Sequence, residues 1–273
     1  MRHQNNNNIK MMTKTNAMAD LKLKIVGQKI KVASIEETMS GFQNYGVKTL
    51  LVVCLLVASL HVSAQKVAVL DAFSKNNIDE SILDPNNLKQ PEDFAYELKQ
   101  TVIAAGKEKT TVATYDPSNP KEKQWTVVSI EGKSPSKSEI NSFRKNQNQP
   151  DDASKIDDAS YEIEKQTSDQ LVISYKVDPG TVAKKAAFLK DCRSYMTINL
   201  RSKKLEQIQA LNEKPVKIAI LKADKLDLTL KYTWNDQAKR YVTTTSNLGI
   251  QAKFLGQSAD IQTISEYSNY TKK

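Results

Sequence analysis

The sequence predicts an α+β domain built on a curved, mostly antiparallel meander sheet, a half-open β-barrel with two or so covering helices. Three observations carry that expectation. Residues 225–234 alternate strictly, with Leu226, Leu228, Leu230, Tyr232 and Trp234 on one face and Asp227, Thr229, Lys231 and Thr233 on the other. Period two is the signature of a strand with one wet face. Short runs rich in Thr, Val and Ile recur between clusters of Asn, Asp, Pro and Ser, the punctuation of turns. Helix signals gather at only two places, and no repeat of 20–50 residues is present.

Charge and compartment come next. The chain has 273 residues, with 40 Lys+Arg against 31 Asp+Glu and a net charge of +9. Residues 47–65, VKTLLVVCLLVASLHVSAQ, read as a basic residue, an apolar run and Val62-Ser63-Ala64. That order predicts a secretory signal peptide cleaved between Ala64 and Gln65. The apolar run falls short of the roughly 20 residues that a membrane-spanning helix needs. Residues 1–64 hold eight Lys/Arg and three Asp/Glu, and the remaining 209 residues hold 32 and 28, a net of only +4. Both histidines, His3 and His61, and Cys54 go with the leader, so Cys192 is the one cysteine left. The expected organisation is 1–38 as a non-native or disordered extension, 39–64 as the signal peptide, 65–89 as an irregular arm, and 90–273 as a single β-rich domain. The Asn-rich opening MRHQNNNNIK and the length of the preface place the expected start of translation at Met39 or Met18. The expected product is soluble, periplasmic or extracellular, with no membrane-spanning segment after cleavage.

Each element has its own warrant. In 91–105, Pro91 suits a first helical turn, and Phe94, Leu98 and Val102 fall at i, i+4 and i+8 before Gly106, so a helix is predicted. Strands are predicted at 109–115 and 124–131, joined by the turn-forming DPSNPKEK. Ser136 and Glu139 match a capping box, opening a short helix with Ile140 and Phe143 on one face. The stretch 146–160 reads as a solvated loop. Segments 161–166 and 170–177 form a predicted hairpin around Thr167-Ser168-Asp169. A connection with one helical turn follows at 178–192. Strands then fall at 195–201, 205–211, 225–234 and 240–245, around Ile250, Ala252 and Phe254, and at 260–270.

Absences narrow the chemistry. Without histidine after Gln65, Ser-His-Asp and Cys-His nucleophilic sites cannot be assembled, nor can zinc sites that use His or paired Cys. Five scattered glycines offer neither a P-loop nor a dinucleotide fingerprint. Ser134-Pro135-Ser136-Lys137 matches the Ser-x-x-Lys tetrad of penicillin-recognising enzymes, but no Lys-Thr-Gly accompanies it, and a helix cap explains the same residues. Cys192 reads as packing rather than as a reactive thiol. Asp151, Asp152, Asp157 and Asp158 lack the alternating ligands of a calcium loop and read as solvated. Lysines scattered among acids give no nucleic-acid footprint. No cofactor, metal site or catalytic residue is predicted, although a hydrolase built on two carboxylates stays open.

The order of elements resembles the lipoprotein-carrier superfamily of the bacterial envelope: helix at 94–105, strand around Trp125, short helix at 136–143, then a long meander ending in Tyr267-Ser268-Asn269-Tyr270. The stretch from Trp125 through Glu131-Gly132-Lys133-Ser134-Pro135-Ser136 to Glu139 is also similar to segments of uncharacterised exported bacterial proteins. The resemblance implies a concave apolar surface able to shelter an acyl chain. The concave-face candidates are Leu226, Leu228, Leu230, Tyr232, Trp234, Ile250 and Phe254. The expected function is a non-enzymatic envelope protein that binds a lipid, an acyl chain or another apolar small molecule. The alternative is a structural or protein-interaction domain of the envelope with a filled core.

Overall fold

The alternating segment 225–234 lies inside one of three long strands that carry the sheet. In the computed structural model, which describes residues 65–147, 154–218, 221–254 and 257–273, these are β9 (Leu221–Asn235), β10 (Arg240–Phe254) and β11 (Gln257–Lys272). The extension, the signal peptide and its cleavage point lie outside the described residues, as do Asp151 and Asp152. The remaining strands are β1 (Phe94–Ala104), β2 (Lys107–Tyr115), β3 (Trp125–Ile130), β4 (Glu162–Gln166), β5 (Gln170–Tyr175), β6 (Cys192–Asn199), β7 (Lys204–Asn212) and β8 (Val216–Ile218). Ten strands run in the order β3-β2-β1-β11-β10-β9-β7-β6-β5-β4, with β8 attached to β9. Every pairing is antiparallel.

The sheet is curved and unclosed, as the half-open barrel expectation has it. Sheets of this width curl rather than stay flat. Register shifts at Thr243/Thr245 and Gln251/Ala252 between β10 and β9 add bends, because a bulge kinks its strand. The open edges are β3 and β4. Strand β4 is exposed throughout, and Glu162, Glu164 and Lys165 guard it against pairing with another chain. The connection between β3 and β4 has to travel the full width of the sheet. It begins with helix α2 (Lys137–Gln147). The predicted capping box is present: Glu139 N–H donates to Ser136 Oγ at 3.3 Å, and Ser136 N–H donates to Glu139 Oε2 at 2.9 Å. These Ser136 hydrogen bonds hold the Glu139 carboxyl below the usual range.

Two expectations give way here. The helix predicted over 91–105 is strand β1. Spacing of four is a multiple of two as well as close to 3.6, so Phe94, Leu98 and Val102 fit either period. What decides is the other residues: Tyr96 is buried beside Phe94 and Leu98, while Glu97 and Lys99 are exposed. Strands β2 and β11 flank β1 and satisfy its backbone on both sides. Gly106, read as a helix stop, is instead the second residue of a hairpin turn, with φ of 51° at Ala105 and 71° at Gly106. That pair of left-handed residues is a type I′ turn.

The second correction is in the arm. Residues 65–76, read as irregular, form a helix, α1, that buries Val69, Ala72 and Phe73 at i, i+3 and i+4. Asn77 at φ 52° ends it. Its N–H donates to Ser74 O at 3.1 Å, and Ile78 N–H donates to Phe73 O at 2.9 Å. Those two bonds make a Schellman motif with Asn in the place usually held by Gly. The Asn77 that looked like loop punctuation is the helix cap.

The buried side chains form three clusters. One joins Val69, Phe73, Ile78 and Ile82 to Leu171, Ile173, Met196, Ile198 and Leu205 of β5–β7. Another packs Phe143 of α2 on Tyr96, Leu98 and Trp125. The last lies among Cys192, Ala210, Val216, Leu226, Ile250 and Ala252. Between them the concave face is not filled.

Candidate functional site

The unfilled ground is a cavity of about 370 Å³. Register explains its floor. Ile208 of β7 stands opposite Leu230 of β9, and Leu230 stands opposite Ser246 of β10. The next row pairs Ala210 with Leu228, and a third pairs Tyr232 with Thr243. All seven line the cavity, with Tyr175, Ser194 and Tyr267 beside them. Leu228, Leu230 and Tyr232 are only half-buried, because the space above them is open.

The walls come from segments that cross the concave face. Pro85 and Leu88 belong to a 3-10 turn, Pro85–Leu88, capped by Asp84, whose carboxylate accepts from Asn86 N–H at 2.9 Å. The Arg240 guanidinium on β10 donates to Asn86 O and so fastens this wall to the sheet. Ala186 and Leu189 come from the 3-10 segment Lys184–Asp191, and Ile156 is bridged to Val177.

Polar groups are few and most are engaged. Ser194 serves the hydroxyl of buried Tyr175, and burial pushes that phenol's pKa well up, so it stays protonated. Tyr270 Oη lies 2.6 Å from Thr243 O and 2.8 Å from Gln90 Oε1. A hydroxyl has one proton, and the Thr243 carbonyl can only accept, so the proton belongs there. Gln90 Nε2 is buried with no hydrogen-bond partner. Turning the amide by 180° would let Nε2 donate to Tyr270 and would leave Oε1 bare instead. In either setting, one end of the Gln90 amide is buried without a partner, a costly condition. Its neighbour Lys89 also lines the cavity, half-buried, and forms no ion pair with the described residues. None of the described lining residues is acidic.

The predicted concave-face residues separate into groups. Leu228, Leu230 and Tyr232 line the cavity. Leu226 and Ile250 are packed in a core cluster and also border a second, larger hollow of about 600 Å³. That hollow belongs to the other face of the same strands, where Gly249 leaves a gap in the row Leu211, Asp227, Gly249, Gln262 and Ile103. Its lining mixes Ile103, Leu211, Leu226, Ile250 and Ile261 with Lys225, Asp227, Gln251, Asp260 and Gln262. Trp234 stands apart from both. It meets Tyr241 edge-on at 5.3 Å, lies 4.3 Å beneath Lys204 Nζ, and donates Nε1–H to Asp236. Phe254 ends β10, and its side chain lies outside the described residues. Sequence reasoning missed Lys89, Gln90, Thr243, Ser246 and Tyr267. Parity along β10 and β11 could have found the last three, but nothing local could bring the arm over the sheet.

The acids and the thiol read plainly. Asp157 caps a turn through Ala159 N–H at 3.1 Å, and Asp158 pairs with Lys66 at 2.8 Å. No group of three or more His, Cys, Asp or Glu among the described residues is placed to hold a metal ion. Cys192 is buried, with Sγ 3.2 Å from Phe188 O.

The chain matches no protein-family model and no curated protein. Among solved structures it is similar to a DUF1329 family protein from Desulfovibrio piger, at 11% identity and a TM-score of 0.32, over 77% of this chain and 92% of that one. A likeness that loose transfers no activity.

Proposed function

We propose that this protein is an exported, non-enzymatic envelope protein that binds an apolar ligand on the concave face of its sheet. The observation that carries the reading is the cavity of about 370 Å³ over Leu228, Leu230 and Tyr232. Binding pockets of roughly 300–1,000 Å³ that are mainly apolar with a few polar groups are the usual form of small-molecule sites. The leader-like segment 47–65 supports export, with cleavage before Gln65 and residence in the periplasm or outside the cell. The lipoprotein-carrier resemblance agrees with a sheltering surface of this kind, by analogy of fold alone.

Native mass spectrometry of the protein isolated from its own cell envelope tests both parts. The expected result is a chain beginning at Gln65 that carries a bound apolar molecule. Repeated recovery of ligand-free protein, together with no uptake of a fluorescent fatty acid, would overturn the binding reading in favour of a structural or interaction domain. An uncleaved chain would overturn the export reading.

A further inference from the structure

We propose that the end of the sheet where β8, β9 and β10 lie side by side docks on an anionic phospholipid surface through a row of lysines; this goes beyond the ligand-binding reading and stands apart from the cavity. The row comes from register. Lys217 of β8 stands directly opposite Lys222 of β9, and Lys222 stands directly opposite Lys253 of β10. The next position in the row, on β11, is Ser258, so no acid belongs to it. The three lysines are exposed, while Val216, Ala223 and Ala252, their chain neighbours, are buried on the other face. Like charges directly opposite each other destabilise a sheet. Lys253 Nζ has Asp224 Oδ2 at 3.5 Å, but Lys217 and Lys222 pair with no acid among the described residues.

Edge protection does not account for the row. A lysine on an outermost strand keeps other chains from pairing with it, and Lys217 on β8 meets that need. Lys222 and Lys253 stand on strands paired on both sides, where they guard no edge. A second observation names the partner. One register step beyond the lysines, Ile218 pairs with Leu221 and Phe254 with Gln257, where β8 passes into β9 and β10 into β11. Lysines set just behind the apolar ends of adjoining hairpins match the layering of a lipid surface, with head groups at the level of the lysines and hydrocarbon beyond them. Attraction to anionic lipid and burial of apolar area add in such a contact. An acidic peptide would answer the lysines and leave Ile218, Leu221 and Phe254 unanswered.

Flotation of the purified protein with vesicles tests the assignment. Vesicles of equal parts phosphatidylcholine and phosphatidylglycerol are expected to carry the protein at low salt and to release it as salt screens the contact. Vesicles of phosphatidylcholine alone are expected to leave it behind. A lysine close to an anionic surface contributes roughly fivefold to binding, so Lys217→Gln, Lys222→Gln and Lys253→Gln together are expected to weaken it about a hundredfold. The melting temperature of that variant is expected to hold, because the exposed Lys253–Asp224 pair contributes little and the lysines repel one another. Arginine at the same three positions keeps the charge and retains binding. A control with Lys75→Gln, Lys165→Gln and Lys203→Gln removes as much charge from other exposed lysines and also retains binding. An equal loss in the control overturns the row in favour of net charge alone. Equal binding to both kinds of vesicle removes the electrostatic contact. No vesicle binding overturns the proposal, and retention on immobilised polyglutamate that the glutamine variant loses would then assign the row to an acidic protein.

Discussion

Cys192 and Glu213 have their chemistry set by their surroundings. Burial, aided by the nearby charges of Asp191 and Glu213, pushes the Cys192 thiol up to about 11. The thiolate is the reactive form, so almost none is present near neutral pH. A disulfide-exchange reagent is expected to leave Cys192 unlabelled in the folded protein and to label it in urea, read by peptide mass spectrometry. Fast labelling of folded protein would contradict the burial. Glu213 accepts from Lys176 Nζ at 2.5 Å and from Arg193 Nε at 3.2 Å. These hydrogen bonds, Lys176 first, hold its carboxyl below its ordinary value of 4.5. A depressed carboxylate stabilises the fold above its unfolded pKa, and the contribution disappears as pH falls through the lower folded value. The stability margin of the native protein over Glu213→Gln is therefore expected to be steady near neutral pH and to shrink as pH drops below 4.5. Urea midpoints at several pH values would show it, and a margin that grows in acid would refute it.

Turns decide more than strands do at the next scale. The Ala105-Gly106 hairpin holds an alanine at φ 51°, where an L side chain is strained. Ala105→Gly is expected to stabilise by about 0.5 kcal/mol, and Gly106→Ala to destabilise by about 1 kcal/mol. No atom lies within 4 Å of a Cβ added at Gly106, so the cost is one of backbone conformation and not of collision. Thermal melts with both changes reversed in sign would rule out the turn type. The same hairpin explains what could be read from sequence. Strict alternation at 225–234 admitted one period only and was legible, as were the Thr167-Ser168-Asp169 hairpin and the Ser136 cap. Fourfold spacing at Phe94, Leu98 and Val102 satisfied two periods, and the pairing that chose between them comes from β11, over 150 residues away in sequence. In the arm, Val69, Ala72 and Phe73 carried a helical face, but Asn77 disguised its end as a loop. The short β8 lay below what a pattern can register.

The described residues from Gln65 onward build a sheet that curls without closing, and the candidate site follows from that geometry. Residues on one strand could be assigned to a face from sequence, so Leu228, Leu230 and Tyr232 were foreseeable as neighbours. Lys89 and Gln90 were not, because they reach the site only by the path of the arm across the sheet. Three clusters pack against the sheet, and the space between them is bounded by the arm before β1, by the β5–β6 connection Lys184–Asp191 and by the end of the β3–β4 connection at Ile156. The central claim is that this space binds an apolar molecule. Leu230→Trp tests it most directly, since the larger ring would occupy the middle of the floor while leaving the clusters intact. Fluorescence titration with N-phenyl-1-naphthylamine is predicted to show binding to the native protein and at least about tenfold weaker binding to the variant, with the melting temperature kept. Tenfold is the loss expected when roughly 1.4 kcal/mol of contact is denied. Unchanged dye binding by a folded Leu230→Trp protein would contradict the account.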